Sequence, residues 1–260
     1  MDKDLESKLN YLRLTELRST WDGVVARAKS ESPSYTGWLK QIIEAECRAK
    51  RERARAQSMR QARLEETFLL ETYPFNRQPA LNKKRVLELF DSQSVIESKK
   101  DVVFIGPTGV GKSGLATALL IDTINKGHRG RFISFPELLS DLYRSAADHS
   151  EKKVMKKFTD YSCLVIDEVG YIEINPDKAG FFFALLKKRH KKATTIITTQ
   201  LGFKEWPGFL KNHHLTSALV DRLVSNAELI NMNKCTSLRL PAQGPKSAED
   251  QAGKLKRTDR

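Results

Sequence analysis

Val102-Val103-Phe104-Ile105-Gly106-Pro107-Thr108-Gly109-Val110-Gly111-Lys112-Ser113-Gly114 decides how the rest of the chain is read. Its first four residues are an apolar run of the kind buried on both faces in a parallel sheet. Gly106 to Ser113 match G-x-x-x-x-G-K-[ST], and a helical pattern with an apolar face follows from Leu115 to Ile121. Strand, glycine turn and helix in that order form a phosphate cradle. The glycines let successive N–H groups converge on phosphate oxygens, and the helix adds the positive end of its dipole. Gly106, Pro107, Thr108, Gly109, Val110, Gly111, Lys112, Ser113 and Gly114 are therefore expected to bind ATP. Lys112 should reach the β- and γ-phosphates, and the Ser113 hydroxyl should ligate Mg2+.

Downstream, apolar runs alternate with helical patterns, which argues for an α/β fold with a parallel sheet between helices. Strands are expected at Val102 to Ile105, Arg131 to Phe135, Leu164 to Ile166 and Thr194 to Thr198, with a shorter one near Ser237 to Leu240. The third ends in Cys163-Leu164-Val165-Ile166-Asp167-Glu168, an apolar strand closed by two acids in the form of a Walker B motif. ATP hydrolysis needs a metal held by an acid, a group that orients or deprotonates water, and positive charge on the transferring phosphoryl group. Asp167 fits the first role and Glu168 the second. The fourth strand ends in Thr198-Thr199-Gln200, where a hydroxyl or amide could stand beside the γ-phosphate. In Ala218-Leu219-Val220-Asp221-Arg222-Leu223, Arg222 reads equally as a finger reaching a neighbouring subunit's ATP or as a surface ion-pair partner.

Upstream, Leu5, Leu9, Leu12, Trp21, Val24 and Ala28 recur at helical spacing as far as a break around Pro33. A second helix begins near Tyr35 and becomes basic through Arg48, Lys50, Arg51, Arg53, Arg55, Arg60 and Arg63. Such a run is a solvated face or a surface that tracks a phosphate backbone. The net charge of +13 favours the nucleic-acid reading. Lys187-Lys188-Arg189-His190-Lys191-Lys192 is a second basic patch, placed where a helix C-terminus attracts cations in any case.

At 260 residues the chain has room for a helical N-terminal domain over 1–72 and a linker with a leading helix over 73–100. An ATPase core over 101–240 and a polar, disordered tail over 241–260 complete the division. Three scattered cysteines, a charged N-terminus and no apolar run of membrane-spanning length point to a cytoplasmic protein without a membrane partner.

Beyond the phosphate loop, the turn Asp167-Glu168-Val169-Gly170-Tyr171 and the strand leading to Phe203-Lys204-Glu205-Trp206 carry a more specific signal. With these, the chain from about Leu12 to Leu240 resembles the IstB-like group of AAA+ ATPases, helpers encoded beside transposases in IS21-type insertion sequences. DnaC-type helicase loaders are related to that group. The resemblance implies an AAA+ ATPase that uses ATP and Mg2+ and forms a homo-oligomer on double-stranded DNA. It also implies delivery of that DNA to the partner transposase, with helicase loading as the alternative. It places Gln200 at the sensor I position, with Thr199 as the competing contact, and Arg222 at a trans-acting arginine. The group commonly has asparagine where this chain has Gln200.

Overall fold

The computed structural model describes residues 1–91, 93–171, 174, 176–211 and 213–239. The expected tail, 241–260, lies outside them. Three helices come first: α1 (Lys3–Tyr11), α2 (Thr15–Glu31) and α3 (Tyr35–Ala62). Two 3-10 turns, Leu70–Thr72 and Phe75–Arg77, then lead to α4 (Lys83–Asp91) and α5 (Gln93–Glu97). The sheet-bearing part runs β1 (Asp101–Ile105), α6 (Lys112–Asn125), β2 (Gly130–Ser134), α7 (Phe135–Ala147), α8 (Glu151–Thr159), β3 (Cys163–Val169) and α9 (Pro176–Arg189). It continues through β4 (Thr194–Thr199), α10 (Trp206–Leu210), α11 (His213–Asn226) and β5 (Ala227–Asn231).

All strand pairs are parallel, in the order β2-β3-β4-β1-β5. Alternation along each strand divides the interior into two layers. Val103 and Ile105, Leu164 and Ile166, and Ile197 face α7 to α11. Val102 and Phe104, Cys163 and Val165, and Ile196 face α4, α5, α6 and the end of α3. Parallel strands also bring their C-terminal ends to one edge, where open α/β sheets bind ligands.

Four expectations need correction. The fifth strand is Ala227–Asn231, whereas Ser237, Leu238 and Arg239 form no strand and Leu240 lies outside the described residues. Paired only to β1 and, unlike the other edge strand β2, half-buried along most of its length, β5 carries little apolar signal in Ala-Glu-Leu-Ile-Asn. The first helical stretch is two helices, because Arg13 takes φ 57 and turns the chain between α1 and α2. Arg63, assigned to the basic helix, is its left-handed cap at φ 50, and Ala62 is the last helical residue. The segment read as a linker also packs closely: Tyr73, Gln78 and Leu81 are buried. Gln78 exchanges two hydrogen bonds with the backbone of Thr236.

Candidate functional site

Gly106 to Ser113 connect β1 to α6 as a cradle held from both sides by distant segments. From upstream, the Tyr73 hydroxyl donates to the Val110 carbonyl at 2.9 Å. A Cβ on Gly111, whose φ is +92, would stand 2.7 Å from the Tyr73 ring, so only glycine fits. From downstream, Leu238 N–H donates to the Gly109 carbonyl at 2.8 Å, and a Cβ on Gly109 would collide with Ser237. Burial pushes the Tyr73 phenol upward, so it stays a neutral donor at any physiological pH.

The Lys112 ammonium donates to the carbonyls of Gly106 and Pro107 at 2.7 and 2.8 Å, inside a cavity of about 350 Å³. Burial draws its pKa below the ordinary lysine value, Asp167 and Glu168 push it back up, and Arg239 adds to the lowering. Thr108, Gly109, Gly111, Ser113, Gly114, Glu168, Thr199 and Gln200 line the same cavity.

Strand parity explains how the acids meet the loop. Asp167 shares a face of β3 with Val165, and Thr198 shares a face of β4 with Ile196, both on the α6 side. Ser113 Oγ accordingly donates to Asp167 Oδ1 at 2.9 Å, and Thr198 Oγ1 donates to the same oxygen. A hydroxyl beside a carboxylate is a hard oxygen pair of the kind Mg2+ prefers, so these residues fit that ion. Past Asp167 the register between β3 and β4 shifts, and Glu168 takes φ 61, a left-handed conformation that costs a non-glycine residue about 1–3 kcal/mol. Glu168 N–H donates to Thr198 Oγ1 at 3.0 Å, which holds the turn while the Glu168 side chain stays exposed in the cavity.

At the end of β4, Thr199 and Gln200 separate. The Thr199 hydroxyl accepts from Leu201 N–H at 3.0 Å and is buried, so its oxygen serves the local turn. Gln200 is exposed, and its side-chain oxygen accepts from the Thr108 hydroxyl at 3.4 Å across the loop. Arg222 is half-buried on α11 near His190 and does not line this cavity. Arg48, Lys50, Arg51, Arg53, Arg55 and Arg60 are exposed along α3, with Arg53 paired to Glu46 and Arg55 to Glu52.

Three roles are not legible in the sequence: the Thr198 bond to Asp167, the Tyr73 bond to Val110 and the place of Arg239 in the cavity wall. The first comes closest to legibility, since residues two apart on a strand share a face and Ile196 is apolar toward α6. Tyr73 and Arg239, the latter lining the cavity, come from segments with no pattern that ties them to the loop.

Known proteins resemble this chain along most of its length. The family model described as IstB-like ATP binding protein matches residues 7–244. An insertion sequence IS21 putative ATP-binding protein of Pseudomonas aeruginosa is 30% identical over 237 residues, covering 91% of this chain and 89% of that protein. An insertion sequence IS5376 putative ATP-binding protein of Geobacillus stearothermophilus is 28% identical over 240 residues, covering 92% and 95%. Among solved structures, the replication initiator DnaA bound to AMPPCP and single-stranded DNA matches with a TM-score of 0.55 and 15% identity. That match spans 65% of this chain and 51% of the other, and it is a likeness of fold. Among the described residues no helix is long and apolar enough to cross a membrane.

Proposed function

The chain belongs to the IstB-like ATP-binding family and has the AAA+ P-loop ATPase fold, and from that premise we propose that it hydrolyses ATP to assemble on duplex DNA and present that DNA to a partner transposase. One observation carries the hydrolytic part: Ser113 and Thr198 converge on Asp167 while Glu168 enters the same cavity as Lys112. Binding alone does not require the second acid. The relatives' insertion-sequence names support the transposition part.

In this reading the loop N–H groups hold the phosphates. Two of the three Lys112 donors hold loop carbonyls, which leaves the third for a phosphoryl oxygen. Mg2+, held by Ser113 and by Asp167 largely through water, would neutralise charge that develops on the phosphates. Glu168 takes a proton from water as its oxygen bonds to the γ-phosphorus and the bond to the β,γ-bridging oxygen breaks. Gln200 orients that water or the γ-phosphate. Arg222 acts on the ATP of a neighbouring copy, which makes turnover depend on a homo-oligomer formed with ATP and DNA. Residues 1–72 serve as the DNA-binding domain, with the basic face of α3 on the phosphate backbone and 101–240 as the motor.

Glu168→Gln keeps the shape and removes the base. ATP turnover should fall by roughly two to four orders of magnitude with ATP affinity retained. Equal turnover in variant and wild type would sink the hydrolytic reading. DNA-stimulated assembly on single strands in preference to duplex would favour helicase loading.

A further inference from the structure

Two basic runs far apart in the sequence approach one edge of the sheet, α3 from one layer and α9 from the other. The C-terminal end of α3 lies at the edge of the sheet that carries the nucleotide cavity. Arg131 on β2 donates to the Gln61 carbonyl at 3.2 Å, and Arg63 pairs with Glu137 at the start of α7. Nearer its middle, α3 reaches the opposite edge, where Arg55 donates at 3.2 Å to the side chain of Asn125, the last residue of α6. Arg48, Lys50 and Arg51 continue past that edge, all exposed.

The second run occupies this same edge. Four residues beyond Asn125, Arg129 is exposed, with its guanidinium 5.5 Å from the centre of the Tyr161 ring. The Tyr161 carbonyl accepts from Arg189 at 2.8 Å. Arg189 is 1% exposed and also donates to Phe158, Thr194 and Thr195. Around it Lys187, Lys188, Lys191 and Lys192 are exposed and, like Arg129, form no ion pair among the described residues. A helix C-terminus attracts cations. At the end of α9, however, the N–H groups of His190, Lys192 and Ala193 already hold the carbonyls of Leu186 and Arg189, and the surrounding lysines repel one another.

We propose that this edge of the sheet, opposite the nucleotide cavity, is a second contact surface for the phosphate backbone of duplex DNA. It shares that edge with Arg55 of α3, and Arg129 stands on the stretch that follows α6, so a duplex touching both runs lies across the junction between the helical region and the ATPase core. The inference rests on the reading of DNA as the partner and adds where the core touches it.

The test is equilibrium binding of a labelled duplex to the full chain, with ATP analogue, across a range of salt concentrations. Removing one lysine–phosphate pair should make the slope of log K against log salt shallower by about 0.9. Lys188→Gln/Lys191→Gln/Lys192→Gln should therefore flatten the slope by roughly 2 to 3, with ATP affinity and thermal midpoint unchanged. Arg129 is left in place because its ring contact holds Tyr161. If the triple variant folds poorly, Lys188→Gln alone should flatten the slope by about 0.9. A wild-type slope in these variants, together with a flatter one in Arg48→Gln/Arg51→Gln, would overturn the second surface and keep DNA as the partner. Failure of the wild type to bind duplex would overturn the DNA reading itself.

Discussion

The two ends of α3 lie in different kinds of environment. Ala62 is fully buried in the layer beneath the sheet, and the segment after it carries Phe68 and Tyr73 onto the phosphate loop. The N-terminal half of the helix packs on α2, which has no fully buried residue, and Leu9 is the one buried residue of α1. Tyr35, Leu39 and Ile43, one turn apart on α3, are exposed. Around the cavity, polar groups interlock, and Gly109 and Gly111 have no room for a side chain. In the helical region, sparse burial leaves local opening inexpensive, which suits a surface that must adapt to a partner. Substitutions should therefore have large, function-linked effects at one end and small, separable ones at the other.

Gly111→Val should have the largest effect. A branched side chain at φ +92 is strained, and it must displace the Tyr73 ring that fixes Val110. Together these should cost on the order of 2–4 kcal/mol and abolish nucleotide binding. Thermal unfolding and fluorescent-nucleotide titration would read both. Wild-type ATP affinity would show that the loop is not held as tightly as the comparison requires.

Thr198→Val comes next. It keeps the shape but strips Asp167 of a donor and Glu168 N–H of its acceptor, at a cost of about 1–3 kcal/mol. ATP turnover should fall by roughly 10- to 100-fold, as expected for about 1.4 kcal/mol per decade at the chemical step. Thr199→Val, which loses only a turn contact with Leu201, should do less. The opposite ranking in single-turnover kinetics would move the essential hydroxyl to Thr199.

The same contrast accounts for what the sequence reveals. Lys112, Ser113, Asp167 and Glu168 are legible because phosphate chemistry fixes both the residue types and their spacing along one strand and one turn. Four of the five strands are legible because their residues are buried on both faces, the edge strand β2 included, while β5 is only half-buried along most of its length and makes no such demand. The clamp by Tyr73 and Leu238 is opaque, because it depends on which remote segment passes over the loop. The turn at Arg13 is hidden for another reason: Leu12, which caps α1, still falls at helical spacing from Leu9, so the apolar pattern runs up to the break without marking it.

The smallest effect belongs to the helical region, where one carboxylate substitutes for packing. The position before α2, Leu14, offers no side-chain cap, and Glu46 on α3 reaches across to accept from the N–H groups of Glu16 and Leu17 at 2.8 and 3.1 Å. Arg53 holds its other oxygen at 3.0 Å. Burial raises the Glu46 pKa, but the hydrogen bonds from Leu17, Arg53 and Glu16 outweigh it, and the net shift is downward from 4.5. A carboxylate with a lowered folded pKa contributes stability that is complete above its unfolded value and is lost as pH falls through the folded one. Hydrogen-exchange protection of the Glu16 and Leu17 amides should therefore hold at neutral pH and fall below pH 4.5, while the sheet stays protected. Glu46→Gln should cost about 1 kcal/mol at neutral pH and remove most of that acid dependence, with ATP affinity unchanged. If the variant kept the wild-type acid transition, α2 would be held by its apolar contacts after all. If ATP affinity fell with it, the two ends of α3 would be one cooperative unit rather than two.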